Sequence, residues 1–90
     1  MKKKITYDEL RKMLTGLDFE ENHVQGSHIY FEHPPSNTLL IYREYRPRDE
    51  VSWWDLAMAR KFLIERGVLE NEDEFEEILH KATTDGKTSA

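Results

Sequence analysis

Four histidines stand at positions 23, 28, 33 and 80, and the first three share one short stretch. A zinc site would need three or four ligands converging on one point. Side chains alternate along a strand, so the spacing of five sends His28 and His33 to opposite faces. No metal and no cofactor is expected. Acid–base chemistry suits the residues better, because an imidazole with a pKa of ~6.5 can take or give a proton near neutrality. Ile29 and Phe31 belong to one strand face, which leaves His28, Tyr30 and Glu32 on the other. If Gln25-Gly26 forms a two-residue turn, His23 sits beside His28 on the neighbouring strand. Arg43 or Arg46 then approaches from a third strand, the choice depending on register. Such a group is suited to cleaving a ribose phosphodiester without metal. A base takes the 2′-hydroxyl proton, an acid protonates the leaving 5′-oxygen, and arginine neutralises the phosphorane. By itself, an exposed strand histidine is most often simply solvated.

Local signals define the elements that must hold these residues. Thr6-Tyr7-Asp8-Glu9 fits a capping box, and Leu10, Met13, Leu14 and Leu17 follow at helical spacing. A first helix is predicted from Tyr7 to about Thr15, closed by Gly16 in the left-handed conformation. Residues 19–45 read as three strands. A tight turn at Gln25-Gly26 separates the first two, and His33-Pro34-Pro35-Ser36-Asn37 interrupts the ladder before Thr38–Tyr45. Ser52 caps a second helix carrying Trp53, Leu56, Ala59 and Leu63 along one side, ended by Gly67. Of the adjacent tryptophans Trp53 and Trp54, one is expected to pack and the other to lie near the surface. Asn71 caps a third, acidic helix with a Phe75, Ile78, Leu79 stripe. The expectation is an α+β fold of order αβββαα, a three-stranded antiparallel sheet with helices on one face. Residues 1–83 form one domain, and residues 84–90 a flexible tail.

Ninety residues suit a single modest core. There are no cysteines, hence no disulfide or thiolate site, and no apolar run approaches the ~20 residues of a membrane span. No hydrophobic stretch follows Lys2-Lys3-Lys4 as a secretion signal would need. A soluble cytoplasmic protein is therefore expected. Net charge is −5, which opposes nucleic-acid binding if taken whole. Its distribution is uneven. Residues 1–64 carry ten basic and ten acidic groups, and residues 65–90 carry three and eight. The excess acid thus sits in the last quarter, beyond the ~10 Å reach of screened charge from much of the rest.

Phe19-Glu20, Gly26-Ser27-His28, Phe31 and His33-Pro34 together resemble the HicA toxin family. Arg60, Phe62-Leu63, Gly67 and Phe75 are similar to the family's closing segment, so the likeness runs from about Tyr7 to Leu79. The stretch around His28 is its specific part. The resemblance implies a double-stranded-RNA-binding-domain-like fold and an endoribonuclease that cuts mRNA, inhibited by a HicB-like antitoxin. It assigns the catalytic role to His28, with Gly26 and Ser27 in the flanking turn. His23 and Tyr30 are the further catalytic candidates; Gly26, Ser27, Arg43 and Arg46 are the RNA-binding ones. This chain departs from the pattern at His23, where the family often has arginine, and at Asp18, where a glycine usually precedes the aromatic. Residues 46–51 do not align with the family's link, and members are commonly basic. These departures keep a second expectation open, a non-catalytic module on the same fold that recognises a protein or structured RNA.

Overall fold

The computed structural model describes residues 4–24 and 28–88, in the order α1 (Tyr7–Gly16), β1 (Glu20–Val24), β2 (His28–His33), a 3-10 turn (Pro34–Ser36), β3 (Thr38–Arg43), α2 (Trp53–Glu65) and α3 (Glu72–Thr88). The strands form one antiparallel sheet of order β1-β2-β3. The architecture is α+β with helices packed on the sheet, as the residue pattern predicts. Gly26 and Ser27, expected to contact RNA, lie outside the described residues. Helix α3 includes residues 84–88, the first part of the segment expected to be a tail. No helix among the described residues is long and apolar enough to cross a membrane.

Helix α1 begins with the predicted capping box. The Thr6 hydroxyl accepts from Glu9 N at 3.2 Å while the Glu9 carboxylate accepts from Thr6 N at 3.0 Å. The next orphan donors are met by the loop after β3. Tyr7 N donates to Asp49 O (2.8 Å), Asp8 N to Pro47 O (3.0 Å), and Val51 N returns to Ile5 O (2.8 Å). Helix starts leave four N–H groups unpaired, and the 46–51 loop is held because it supplies carbonyls to two of them.

Helices α1 and α2 end in the same way. After α1, Asp18 N reaches Thr15 O and Phe19 N reaches Leu14 O, both at 3.0 Å. After α2, Gly67 N reaches Ile64 O at 3.1 Å and Val68 N reaches Leu63 O at 2.9 Å. Both are Schellman closures, which require a left-handed residue at the position after the cap. That residue is Gly67 (φ 78°) in one case and Asp18 (φ 72°) in the other. Gly16, expected to fill the role, is instead the last residue of α1. Asp18 thus stands where a glycine would be least strained.

The core lies between the sheet and the helices. Ile29 and Phe31 of β2 and Leu40 and Tyr42 of β3 pack with Leu10, Met13 and Leu14 of α1 and Leu63 of α2. Phe75 and Leu79 of α3 extend it. Tyr45 ties the layers together. Its ring stacks on Tyr7 at 5.8 Å, and its hydroxyl donates to Asp55 Oδ2 (2.6 Å) while accepting from Ser52 N (3.3 Å). Ser52 in turn caps α2 by accepting from Asp55 N at 3.1 Å. Both tryptophans that open α2 are exposed, Trp53 and Trp54 meeting edge to face at 5.9 Å. The expectation that one would pack inward is corrected. Of the expected stripe, Ala59 and Leu63 carry the buried side of α2.

Candidate functional site

Alternation along β2 and β3 separates a covered face from an uncovered one. Ile29, Phe31, Leu40 and Tyr42 are buried, whereas His28, Glu32, Leu39, Ile41 and Arg43 are exposed. Tyr30 is half-buried on the uncovered side. The predicted set of His28, Tyr30 and Glu32 does share that face.

The ladder decides what stands beside each residue. His28 pairs with Arg43 on β3 and with Val24 on β1. Tyr30 lies between Ile41 and Asn22, and Glu32 between Leu39 and Glu20. The face is therefore polarised along the strands. His28 and Arg43 are ladder partners at one end, and Glu32 and Glu20 are partners at the other. Asn22, beside Tyr30, escaped notice in the sequence because its place depends on register.

His23 corrects the proposed imidazole pair. Its ladder partner is Ile29, not His28, so it lies on the helix-covered side. Residues 25–27, not two, separate β1 from β2. One extra residue inverts the facing of everything on the strand. On its actual side, His23 Nε2 lies 3.0 Å from Glu21 Oε2, and Tyr7 of α1 donates its hydroxyl to the same carboxylate. Arg11 stands 3.8 Å from Glu21 Oε1. Burial pushes the Glu21 carboxyl up, but the hydrogen bonds from Tyr7 and His23 and the Arg11 charge outweigh it and hold the group below its ordinary value. Burial, then the bond and charge of Glu21, push the Tyr7 phenol well up. His23 thus belongs to a clasp between β1 and α1.

Arg43 is held from below. Its guanidinium carbon lies 5.5 Å from the centroid of the Tyr45 ring, within cation–π range. Since Tyr45 is itself pinned to Asp55 and Ser52, the start of α2 fixes the cation opposite His28. Glu44, Asp49 and Glu50 line a depression of about 330 Å³ with Arg43 and Tyr45, so its positive charge stands among carboxylates. Arg46 is placed differently. It lies beyond the end of β3, with its backbone N donating to Asp49 Oδ2 at 2.8 Å and its side chain exposed. The register thus selects Arg43 over Arg46 as the partner of His28.

His33 has a structural role at the other end of β2. Its ring stacks on Phe19 at 4.8 Å, and Nδ1 lies 2.7 Å from Ser36 Oγ in the 3-10 turn. Asn37 then takes the left-handed conformation (φ 56°) that admits β3. Among the described residues no group of three histidine or acidic side chains is arranged to hold a metal ion.

Comparison of the chain with family models, curated proteins and solved structures finds no match.

Proposed function

We propose that the uncovered sheet face binds RNA and that His28 cleaves it by acid–base chemistry, in the manner of a toxin-type endoribonuclease. The observation that carries this reading is the cross-strand placement of His28 and Arg43 on a face that no helix covers. A phosphodiester seated between them meets a proton acceptor and a cation together.

His28, in its neutral form, takes the proton of the ribose 2′-hydroxyl. The freed oxygen attacks phosphorus, and the 5′-oxygen departs as the 2′,3′-cyclic phosphate closes. Arg43 neutralises the charge that gathers on the non-bridging oxygens. Tyr30, two residues along the strand and so ~7 Å from His28 at the backbone, gives its phenolic proton to the 5′-oxygen. Proton exchange with water then restores imidazole and phenol. The products carry a 2′,3′-cyclic phosphate and a 5′-hydroxyl.

The chain's resemblance to HicA toxins around Gly26-Ser27-His28 supports the same reading and adds a partner, a HicB-like antitoxin protein that covers the face. The carboxylates around Arg43 favour weak RNA binding, and the pair Glu20 and Glu32 disfavours RNA at the other end of the face. Induced expression of the chain tests the biological side. Growth arrest that vanishes with His28→Ala, at equal protein level, is the expected result. Harmless expression of the wild type, or undiminished arrest by the variant, contradicts the reading.

A further inference from the structure

The two edges of the sheet are built in opposite ways. β1 presents Glu20, Glu21, Asn22 and His23, the charged and polar type of edge that discourages strand pairing. β3 reads Thr38-Leu39-Leu40-Ile41-Tyr42-Arg43, with no lysine, proline or acid to blunt it. Strand β3 pairs on one side only, with β2. Among the described residues four large apolar side chains are exposed, namely Leu39, Ile41, Trp53 and Trp54. Three of them meet at this edge. Leu39, Ile41 and Trp54 border a groove of about 370 Å³ that also takes in Met58 and Phe62 of α2.

We propose that β3 pairs antiparallel with β3 of a second copy of this chain, joining two sheets into one of six strands. Directly opposed residues must share a face, which restricts the registers available. A two-fold axis at Leu40 sets Leu39 against Ile41 of the second copy, Leu40 against its own equivalent, and Thr38 against Tyr42. Every exposed apolar side chain of the strand then meets another, and Arg43 faces Asn37, so no like charges oppose. The axis runs perpendicular to the sheet. Both α2 helices therefore lie on the same side, bringing Trp54, Met58 and Phe62 of the two copies together there, while Leu39 and Ile41 meet on the opposite face.

Leu39 is 50% exposed, and Ile41 and Trp54 are each 60% exposed. The pairing draws on these side chains, the strand backbone and the rims at Met58 and Phe62 from both copies, against the ~1,000 Å² total that a specific interface needs. Self-pairing also leaves both uncovered faces continuous, with the two Arg43 positions ~20 Å apart along the strands.

Light scattering coupled to size exclusion, from about 1 to 100 µM, tests this directly. The wild type is expected to be a dimer at the upper concentrations. Ile41→Lys, which brings a charge into the pairing, is expected to be monomeric with an unchanged melting temperature once that is measured at low, monomeric concentration. Leu39→Lys should behave alike, and Asn22→Lys on the other edge should remain dimeric. A wild type that stays monomeric at 100 µM overturns the proposal, including the case where it then pairs with an unrelated strand peptide. A dimer that survives both β3 substitutions overturns it as well.

Discussion

Arg43 stands directly across the β2–β3 ladder from His28, with its guanidinium over the ring of Tyr45. Three elements converge in that relationship. Strand β2 brings the imidazole, β3 brings the cation, and the cap of α2 holds the aromatic platform through Asp55 and Ser52. If the face cleaves RNA, Arg43→Ala should lower kcat/KM by about 100-fold, the scale of losing one charge-stabilising donor. Arg43→Lys should recover only part of that, since an ammonium lacks the planar fork and stacks less well. Single-turnover cleavage assays measure both.

Glu21 gives the fold a pH dependence of definite sign. Its folded pKa lies below the ordinary carboxylate value. The stabilisation is therefore complete above the unfolded pKa of about 4.3 and is lost as pH falls through the lower folded value. Glu21→Gln should be less stable than wild type at pH 7, and the gap should narrow as thermal melts are taken to acid pH. A gap that stays constant from pH 7 to pH 3 would contradict the role assigned to the clasp.

His23→Ala separates the clasp from the chemistry. His23 lies on the covered side of the sheet from His28 and is largely exposed at the sheet edge. The substitution should lower stability by less than about 1 kcal/mol, as for a surface ion pair, and leave the cleavage rate within a factor of two. A rate loss comparable to that of His28→Ala would restore His23 to the active site.

The ends of α1 and α2 offer an internal comparison. Asp18 does with a side chain what Gly67 does without one. Asp18→Gly should stabilise the protein by about 0.5–1 kcal/mol, the left-handed strain relieved less the extra chain entropy of glycine. Gly16→Ala should add less, about 0.5 kcal/mol or below, because Gly16 is the last residue of α1, where alanine still suits the helical backbone and a new Cβ meets no atom within 4 Å. Chemical denaturation resolves gains of this size.

The parts of the molecule legible in its sequence are those governed by local rules. Thr6 and Glu9, Ser52 and Asp55, and Asn71 announce helix starts because caps are short-range hydrogen bonds. Ile29 and Phe31 announce the buried side of β2, which correctly sent His28 and Tyr30 outward. What failed depended on long-range register. The length of the β1–β2 connection could not be counted from Gln25-Gly26 alone, and one residue moved His23 to the wrong face. The choice between Arg43 and Arg46 was open for the same reason. Trp53 and Trp54 misled in another way. Trp53 shares its expected stripe with Ala59 and Leu63, yet only the last two are buried.

The proposed function stands on His28 performing chemistry on RNA at the uncovered face. The most direct measurement is cleavage of an end-labelled transcript by purified wild type and His28→Ala, with EDTA present and circular dichroism confirming that both fold alike. Wild-type fragments ending in 2′,3′-cyclic phosphate are expected, with a loss of about 1,000-fold or more in the variant, which reads the general-base contribution and its positioning together. Equal cleavage by the two proteins, or no cleavage by the wild type, would contradict it.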